Sequence, residues 1–145
     1  MADVEECATL AVDCGLHVHR NLGPGLLESV YVAVLEASLK RLGVAVERQK
    51  LIDIEYDGML LREGFRADLL VGGALIIEVK SVERFAPVHG KQLLTYLRLT
   101  KQPLGLLMNF GAPTFREGLK RVVNDHLDVA TSPLGINRYS RGPAR

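Results

Sequence analysis

One stretch decides the fold: residues 66–80 have the sequence RADLLVGGALIIEVK. Leucine and β-branched residues dominate on either side of Gly72-Gly73, so two strands joined by a glycine turn are predicted. Three charges interrupt the apolar runs, namely Asp68, Glu78 and Lys80. Residues two apart on a strand share a face, so Glu78 and Lys80 project together. Charges in such a setting are costly to bury unless they are paired or bind a metal, which indicates a functional site.

The length of the turn determines whether Asp68 joins the other two charges. A two-residue loop at Gly72-Gly73 would place Asp68 opposite Ile77, on the face away from Glu78. An odd-length loop, such as Gly72-Gly73-Ala74, or a bulge would bring the two carboxylates to the same face. Convergence of Asp68 and Glu78 therefore requires one of these two geometries.

Hydrophobic periodicity assigns the remaining elements. Pro87–Leu99 is predicted to be a helix between two buried strands, which favours a parallel crossover. At the end of the domain, Thr114 and Glu117 suggest a capping box, so a closing helix is expected from Thr114 to about His126. The other predicted elements are helices over residues 4–20 and 25–42, a strand over 44–56 with a turn at Asp57-Gly58, a return strand from Met59 interrupted at 62–64, and a strand over 104–110.

Composition excludes several classes of protein. The 145 residues are 48% hydrophobic and 24% charged, with a net charge of +1, which is typical of a globular domain and not of a polycation. No apolar stretch approaches the ~20 residues needed to span a bilayer, and the acidic N-terminus argues against a targeting peptide. We therefore expect a cytoplasmic protein with no membrane association. One domain over residues 1–131 and a flexible basic tail over 132–145 are predicted.

Several further residues have both an ordinary and a functional interpretation. Glu28 fits the third position of a helix capped by Gly25, where a carboxylate suits the helix dipole, yet it could equally bind a metal. Gln92 and Tyr96 form an i, i+4 pair that either packs at a helix–sheet boundary or contacts a phosphate. His17 and His19 point in roughly opposite directions, so one is expected to be packed and the other exposed. Cys7 and Cys14 are interpreted as core residues.

Taken together, Glu28, Asp68, Glu78-x-Lys80 and Gln92-x-x-x-Tyr96 resemble the motif order of the PD-(D/E)XK nuclease superfamily, in its RecB-like branch. Gly25-x-x-Glu28-x-x-Tyr31 is similar to the signature of the GxxExxY protein family. The resemblance spans about residues 8–124. Ala67 stands where the superfamily's name has proline.

This resemblance implies an α/β fold with a central mixed sheet flanked by helices, and a metal-dependent nuclease acting on nucleic acid, DNA in preference to RNA. Mg²⁺ or Mn²⁺ would be held by Glu28, Asp68, Glu78 and the Val79 carbonyl, and Lys80 would assist the water nucleophile. Gln92 and Tyr96 would position Lys80 or the scissile strand. The expected phosphate contacts are Arg66, Arg84, Lys91 and Arg98. A homodimer or a partner protein is compatible with the small size. The alternative is a non-catalytic module of the same fold that binds nucleic acid or protein.

Overall fold

A single mixed sheet organises residues 3–125, the part of the chain that the computed structural model describes. Its strands lie in the order β1-β2-β3-β4-β5. The β3–β4 pair is parallel and the other three pairs are antiparallel. The strands are β1 (Val46–Tyr56), β2 (Met59–Val71), β3 (Leu75–Lys80), β4 (Leu104–Asn109) and β5 (Leu119–Val123). The α/β class expected from the sequence is confirmed.

Helices cover both faces of the sheet. They are α1 (Val4–Leu22), α2 (Glu28–Arg41) and α3 (Pro87–Thr100). One hydrophobic core lies between the sheet and α1 and α2, and includes Leu35, Leu69 and Ile77. A second lies under α3 and includes Ala67 and Ile76. Ile76 and Ile77 therefore point to opposite cores, as expected of adjacent residues on a strand that is buried on both sides.

The turn between β2 and β3 has three residues. Val71 pairs with Leu75 and Leu69 with Ile77, so Gly72, Gly73 and Ala74 form the loop. Both glycines adopt positive φ angles, 62° and 75°, which residues with a side chain rarely do. Continuing this register places Asp68 opposite Glu78, so the odd-length loop that convergence requires is the one observed.

The predicted closing helix is wrong within the described residues. Thr114 and Glu117 do exchange hydrogen bonds: the Thr114 hydroxyl donates to Glu117 Oε1 at 3.0 Å, and the Glu117 N–H donates to Thr114 Oγ1 at 3.2 Å. The turn stops at Gly118, where a Cβ would lie 2.1 Å from the Asn109 carbonyl oxygen. The chain then pairs with β4 as β5. The capping signal was correct locally, but pairing with a distant strand decided the element; His126 lies outside the described residues.

The start of α2 also differs from the prediction. Gly25 does not cap the helix: its φ is 107°, and nothing lies within 4 Å of where its Cβ would be. Leu27 is the N-cap, so Glu28 is the first helical residue and not the third. Gly25 serves the bend of the loop, not close backbone packing.

The long β1–β2 hairpin follows the prediction. Asp57 and Gly58 turn the chain with φ angles of 52° and 78°, as a type I′ turn requires. The expected interruption appears as a shift of register between Ile52 and Ile54, opposite Glu63, whose φ is 51°.

The two cysteines and the two histidines of α1 also follow their predictions. Cys7 and Cys14 are buried free thiols, His19 is buried and His17 is exposed. Among residues 3–125, no helix combines the length and apolarity needed to cross a bilayer.

Leu35 tests the packing of α2 on the sheet, because it is fully buried there. We expect Leu35→Ala to lower the free energy of unfolding by about 2–5 kcal/mol, the range for emptying a buried leucine site. The matched control is Leu42→Ala at the end of the same helix, where the side chain is 55% exposed. That change should stay within about 0.5 kcal/mol. Equal losses for the two variants in urea denaturation would contradict the assigned packing.

Candidate active site

Asp68 and Glu78, here called the carboxylate pair, lie where the β2–β3 ladder ends. Each carboxylate accepts a hydrogen bond from the opposite strand. The Asp68 N–H donates to Glu78 Oε2 at 3.0 Å, and the Val79 N–H donates to Asp68 Oδ2 at 2.8 Å. Side chains thus take the place of main-chain partners beyond Leu69–Ile77. This reciprocal bonding fixes both carboxylates against the backbone of the central strands.

The carboxylate pair is electrostatically unfavourable. Burial raises the pKa of Glu78 to about 8, and the neighbouring Asp68 adds to this rise. Burial likewise raises the pKa of Asp68, against which the Val79 N–H bond acts. Desolvation and mutual repulsion both penalise two negative charges at this position. A cation beside them would offset both costs.

Lys80 and the polar side chains of α3 meet Glu78 in one small cavity, here called the α3 cleft. It is lined by Glu78, Lys80, His89, Gln92, Leu93, Tyr96 and Leu107. The ring of Tyr96 stacks on Phe65 with 4.0 Å between centroids, which fixes the side of the cleft nearest β2. The structure therefore brings Lys80, Gln92 and Tyr96 together with Glu78, as the sequence predicted. His89, whose position just upstream of Gln92 predicts that it reaches the same site, also lines the cleft, and its Nδ1 accepts the Ala86 N–H at 3.2 Å.

Glu28 reaches the same region from α2. Its Oε2 accepts the Ser81 N–H at 3.3 Å, and its charge contributes to raising the pKa of both Asp68 and Glu78. Even so, in residues 3–125 no group of three or more His, Cys, Asp or Glu side chains is arranged to hold a metal ion. The structure brings Asp68 and Glu78 together. Glu28, the third expected carboxylate, is hydrogen-bonded to the Ser81 N–H. The assignments of Glu28 and the Val79 carbonyl as ligands stay predictions.

Tyr31 explains how the loop before α2 is held. Its hydroxyl donates to the Gly23 carbonyl at 2.6 Å and accepts the Leu26 N–H at 3.1 Å. Its buried ring stacks on Phe110 with 4.5 Å between centroids. The tyrosine three residues after Glu28 thus anchors the segment that delivers Glu28 to the site.

Two residues that position the site escaped the sequence analysis. The Ser81 hydroxyl donates to the Leu26 carbonyl at 2.7 Å. Asn109 Oδ1 accepts the N–H groups of Val82 and Gly111 at 2.9 and 3.0 Å. These bonds attach the segment after Lys80 to α2 on one side and to β4 on the other. Their position in the sequence could have identified them, because Ser81 directly follows β3 and Asn109 ends β4.

The four basic residues expected to contact phosphate are all exposed. None of Arg66, Arg84, Lys91 and Arg98 forms an ion pair with another described residue. Arg66 is paired with Leu51 on the β1–β2 hairpin, Lys91 and Arg98 are on α3, and Arg84 is in the loop before it. No acidic side chain of the described part of the chain neutralises them, and their role as phosphate contacts stays a prediction.

The donors present fit a hard divalent cation. Carboxylate oxygens are what Mg²⁺ and Mn²⁺ prefer, and the carboxylate pair supplies them where negative charge is in excess. Lys80 is close enough to lower the pKa of both carboxyl groups.

A helix-flanked mixed sheet thus carries the carboxylate pair and Lys80 on its central strands. A family model of the PD-(D/E)XK nuclease superfamily matches residues 5–122, and the chain belongs to that superfamily. Its members are generally nucleases that act on nucleic acids with divalent metals. Neither a curated protein nor a solved structure matches the chain.

Tyr31 provides a test of how the α2 loop is anchored. We expect Tyr31→Phe to cost about 1–2 kcal/mol of unfolding free energy, because stacking is retained while two hydrogen bonds are lost. The matched control is Tyr56→Phe, where the side chain is 63% exposed and has no hydrogen bond to a described residue. That variant should unfold as the wild type does in guanidinium. A neutral Tyr31→Phe would mean that the hydroxyl does not anchor the loop.

Proposed function

We propose that this protein is a metal-dependent nuclease that hydrolyses phosphodiester bonds, with DNA as the preferred substrate. The observation that carries the proposal is the carboxylate pair, which is half-buried on the central strands, with Lys80 two residues beyond Glu78. A purely structural carboxylate pair would have little reason to be held where burial and repulsion both disfavour its charges. The membership of the nuclease superfamily supports the same function.

Each residue of the site has a proposed role. Asp68 and Glu78, with Glu28 and the Val79 carbonyl, would hold Mg²⁺ or Mn²⁺. The bound ion supplies Lewis acidity, which polarises the phosphodiester and lowers the pKa of water. Lys80 orients the attacking water and stabilises negative charge that develops on the phosphate oxygens.

The chemistry balances as a hydrolysis. The water oxygen bonds to phosphorus, the bond from phosphorus to the leaving oxygen breaks, and a proton from water ends on that oxygen or in solvent. Gln92 and Tyr96, which line the α3 cleft beside Lys80, position Lys80 or the scissile strand. The exposed Arg66, Arg84, Lys91 and Arg98 contact flanking phosphates.

The arrangement also supports a finer placement within the superfamily. We assign the chain to the GxxExxY family with the RecB-like order of motifs. Two features favour this assignment. Tyr31 anchors the loop that contains Gly25 and precedes Glu28, and Gln92 and Tyr96 share one cleft with Lys80.

A binding module without catalysis is the second candidate. The observation that favours it is that both members of the carboxylate pair already accept main-chain N–H groups. Within the described residues no third side chain completes a metal site. Such a module would bind nucleic acid but cut neither DNA nor RNA with Mg²⁺ or Mn²⁺.

Metal binding is tested by thermal unfolding. We expect Mn²⁺ to stabilise the protein by about 2.7 kcal/mol at 100 times its Kd, a rise of several degrees in Tm. Asp68→Asn should abolish most of this rise, because it removes a charged ligand. The control is Asp57→Asn in the hairpin turn, where asparagine tolerates the positive φ of 52°. Equal Mn²⁺ shifts in wild type and Asp68→Asn would refute the ligand assignment.

Cleavage and binding together separate the two candidates. Glu78→Gln should abolish cleavage while nucleic-acid affinity in EDTA stays equal or becomes tighter, since an amide cannot carry the negative charge that Glu78 can place near the phosphate. Lys80→Ala should also abolish cleavage but keep the Mn²⁺ shift, since Lys80 is not a ligand. Glu55→Gln and Lys101→Ala are matched controls, because these residues form an exposed ion pair worth little to stability. A folded wild type that binds but does not cut would establish the binding module instead.

A further inference from the structure

Gln49 has a backbone conformation that its place in the chain does not explain. It lies within β1, yet its φ is 53°, a left-handed value that is unfavourable for a residue with a side chain. The other described non-glycine residues with positive φ have local reasons. Asp57 is in a turn, Glu63 lies where the hairpin changes register, and Lys101 caps α3. Strain of this kind is concentrated at functional sites.

The strain coincides with a change of face in two strands at once. In β1, Val46 belongs to the core under α1 and α2, whereas Ile52 belongs to the surroundings of the core under α3. In β2, Leu69 belongs to the core under α1 and α2, whereas Ala67 belongs to the core under α3. Residues an even number apart should share a face, so each strand turns over between these positions.

The pairing locates this change of face at one pair of residues. Arg48 pairs with Leu69 and Lys50 with Ala67, whereas the residues between them, Gln49 and Asp68, are not paired. Gln49 is therefore directly across from Asp68. The Asp68 N–H is free for Glu78 Oε2 because it is not used by β1.

The position of Gln49 across from Asp68 brings its side chain close to the Asp68 carboxyl group. Gln49 also acts on the Asp68 carboxyl group, since its side chain lowers the pKa of that group against the larger effect of burial. The Asp68 carboxylate therefore accepts the Val79 N–H from β3 and has the Gln49 amide of β1 as a second polar neighbour. An amide donates a hydrogen bond without adding a charge, so it can orient Asp68 without neutralising it as arginine or lysine would.

We propose that Gln49 is a positioning residue of the site, which holds the Asp68 carboxylate in the orientation needed to bind the divalent cation. This role rests on the proposed nuclease function. It also gives the left-handed backbone a purpose, since that conformation occurs at the position of β1 that lies across from Asp68. Groups that orient ligands in this way typically affect metal affinity or activity 10–100-fold.

The test uses Gln49→Gly, because glycine adopts a φ of 53° without strain while the side chain with its amide is removed. The purified full chain is titrated with Mn²⁺, and its affinity is read from calorimetry and from the Tm shift. We expect the Kd for Mn²⁺ to rise about tenfold or more. In cleavage assays, kcat at a fixed Mn²⁺ concentration should fall while KM for DNA is unchanged. Gln49→Leu, which retains a side chain but has no donor, should weaken Mn²⁺ binding in the same way.

The matched control is Asp57→Gly, which relieves a similar φ of 52° in the distant hairpin turn. It should leave Mn²⁺ affinity and kcat at wild-type values. A folded Gln49→Gly with wild-type Mn²⁺ affinity would overturn the role of Gln49 while leaving the nuclease proposal intact. Absence of both Mn²⁺ binding and cleavage in the wild type would overturn the two proposals together.

Discussion

The exchange of hydrogen bonds between Asp68 and Glu78 is the interaction on which the rest of the site depends. Each carboxylate accepts an N–H of the opposite strand, so the same two bonds end the β2–β3 ladder and immobilise the two acidic groups. Main-chain N–H groups must find partners when they are buried. Here the carboxylates of Asp68 and Glu78 meet that requirement, and the same two groups are the proposed metal ligands. The contacts that stabilise the strands are therefore the ones that hold the reactive groups. The electrostatic cost of placing two carboxylates together remains at this position, where a bound cation would offset it.

Around this pair, the positioning contacts come from distant parts of the chain. Tyr31 holds the loop before α2, and Ser81 attaches that loop to the end of β3. Asn109 attaches the segment after Lys80 to β4. The segment after Lys80 is consequently held by α2 on one side and by β4 on the other, although it belongs to neither helix nor strand. Fixing the chain directly after β3 limits the conformational freedom of Lys80, the last residue of that strand, as the orientation of a catalytic group requires.

The sequence predicted the parts of this architecture that depend on local pattern. Apolar runs with isolated charges revealed β2, β3, Asp68, Glu78 and Lys80. Strand parity showed that the acids converge only with an odd-length turn or a bulge, and the structure has the odd-length turn. The capping pattern at Thr114 and Glu117 wrongly predicted a helix, because a single hydrogen-bonded turn satisfies the pattern. The local sequence does not show that β5 pairs with β4. Gln49, Ser81 and Asn109 could not be recognised for a related reason. A polar residue at a strand edge or in a loop is ordinary, and only the folded chain shows what it bonds to.

The three-residue turn Gly72-Gly73-Ala74 has a consequence for how this protein can change over evolutionary time. Surface loops usually tolerate single insertions and deletions, since closure entropy varies slowly with length. This turn is different as long as its three-residue geometry is kept, because adding or removing one residue would then slip the strand pairing by one and move Asp68 to the opposite face from Glu78. A change of two residues would preserve the alternation. Insertions and deletions among relatives at this turn should therefore be even in length, so that Asp68 and Glu78 remain on the same face of the sheet.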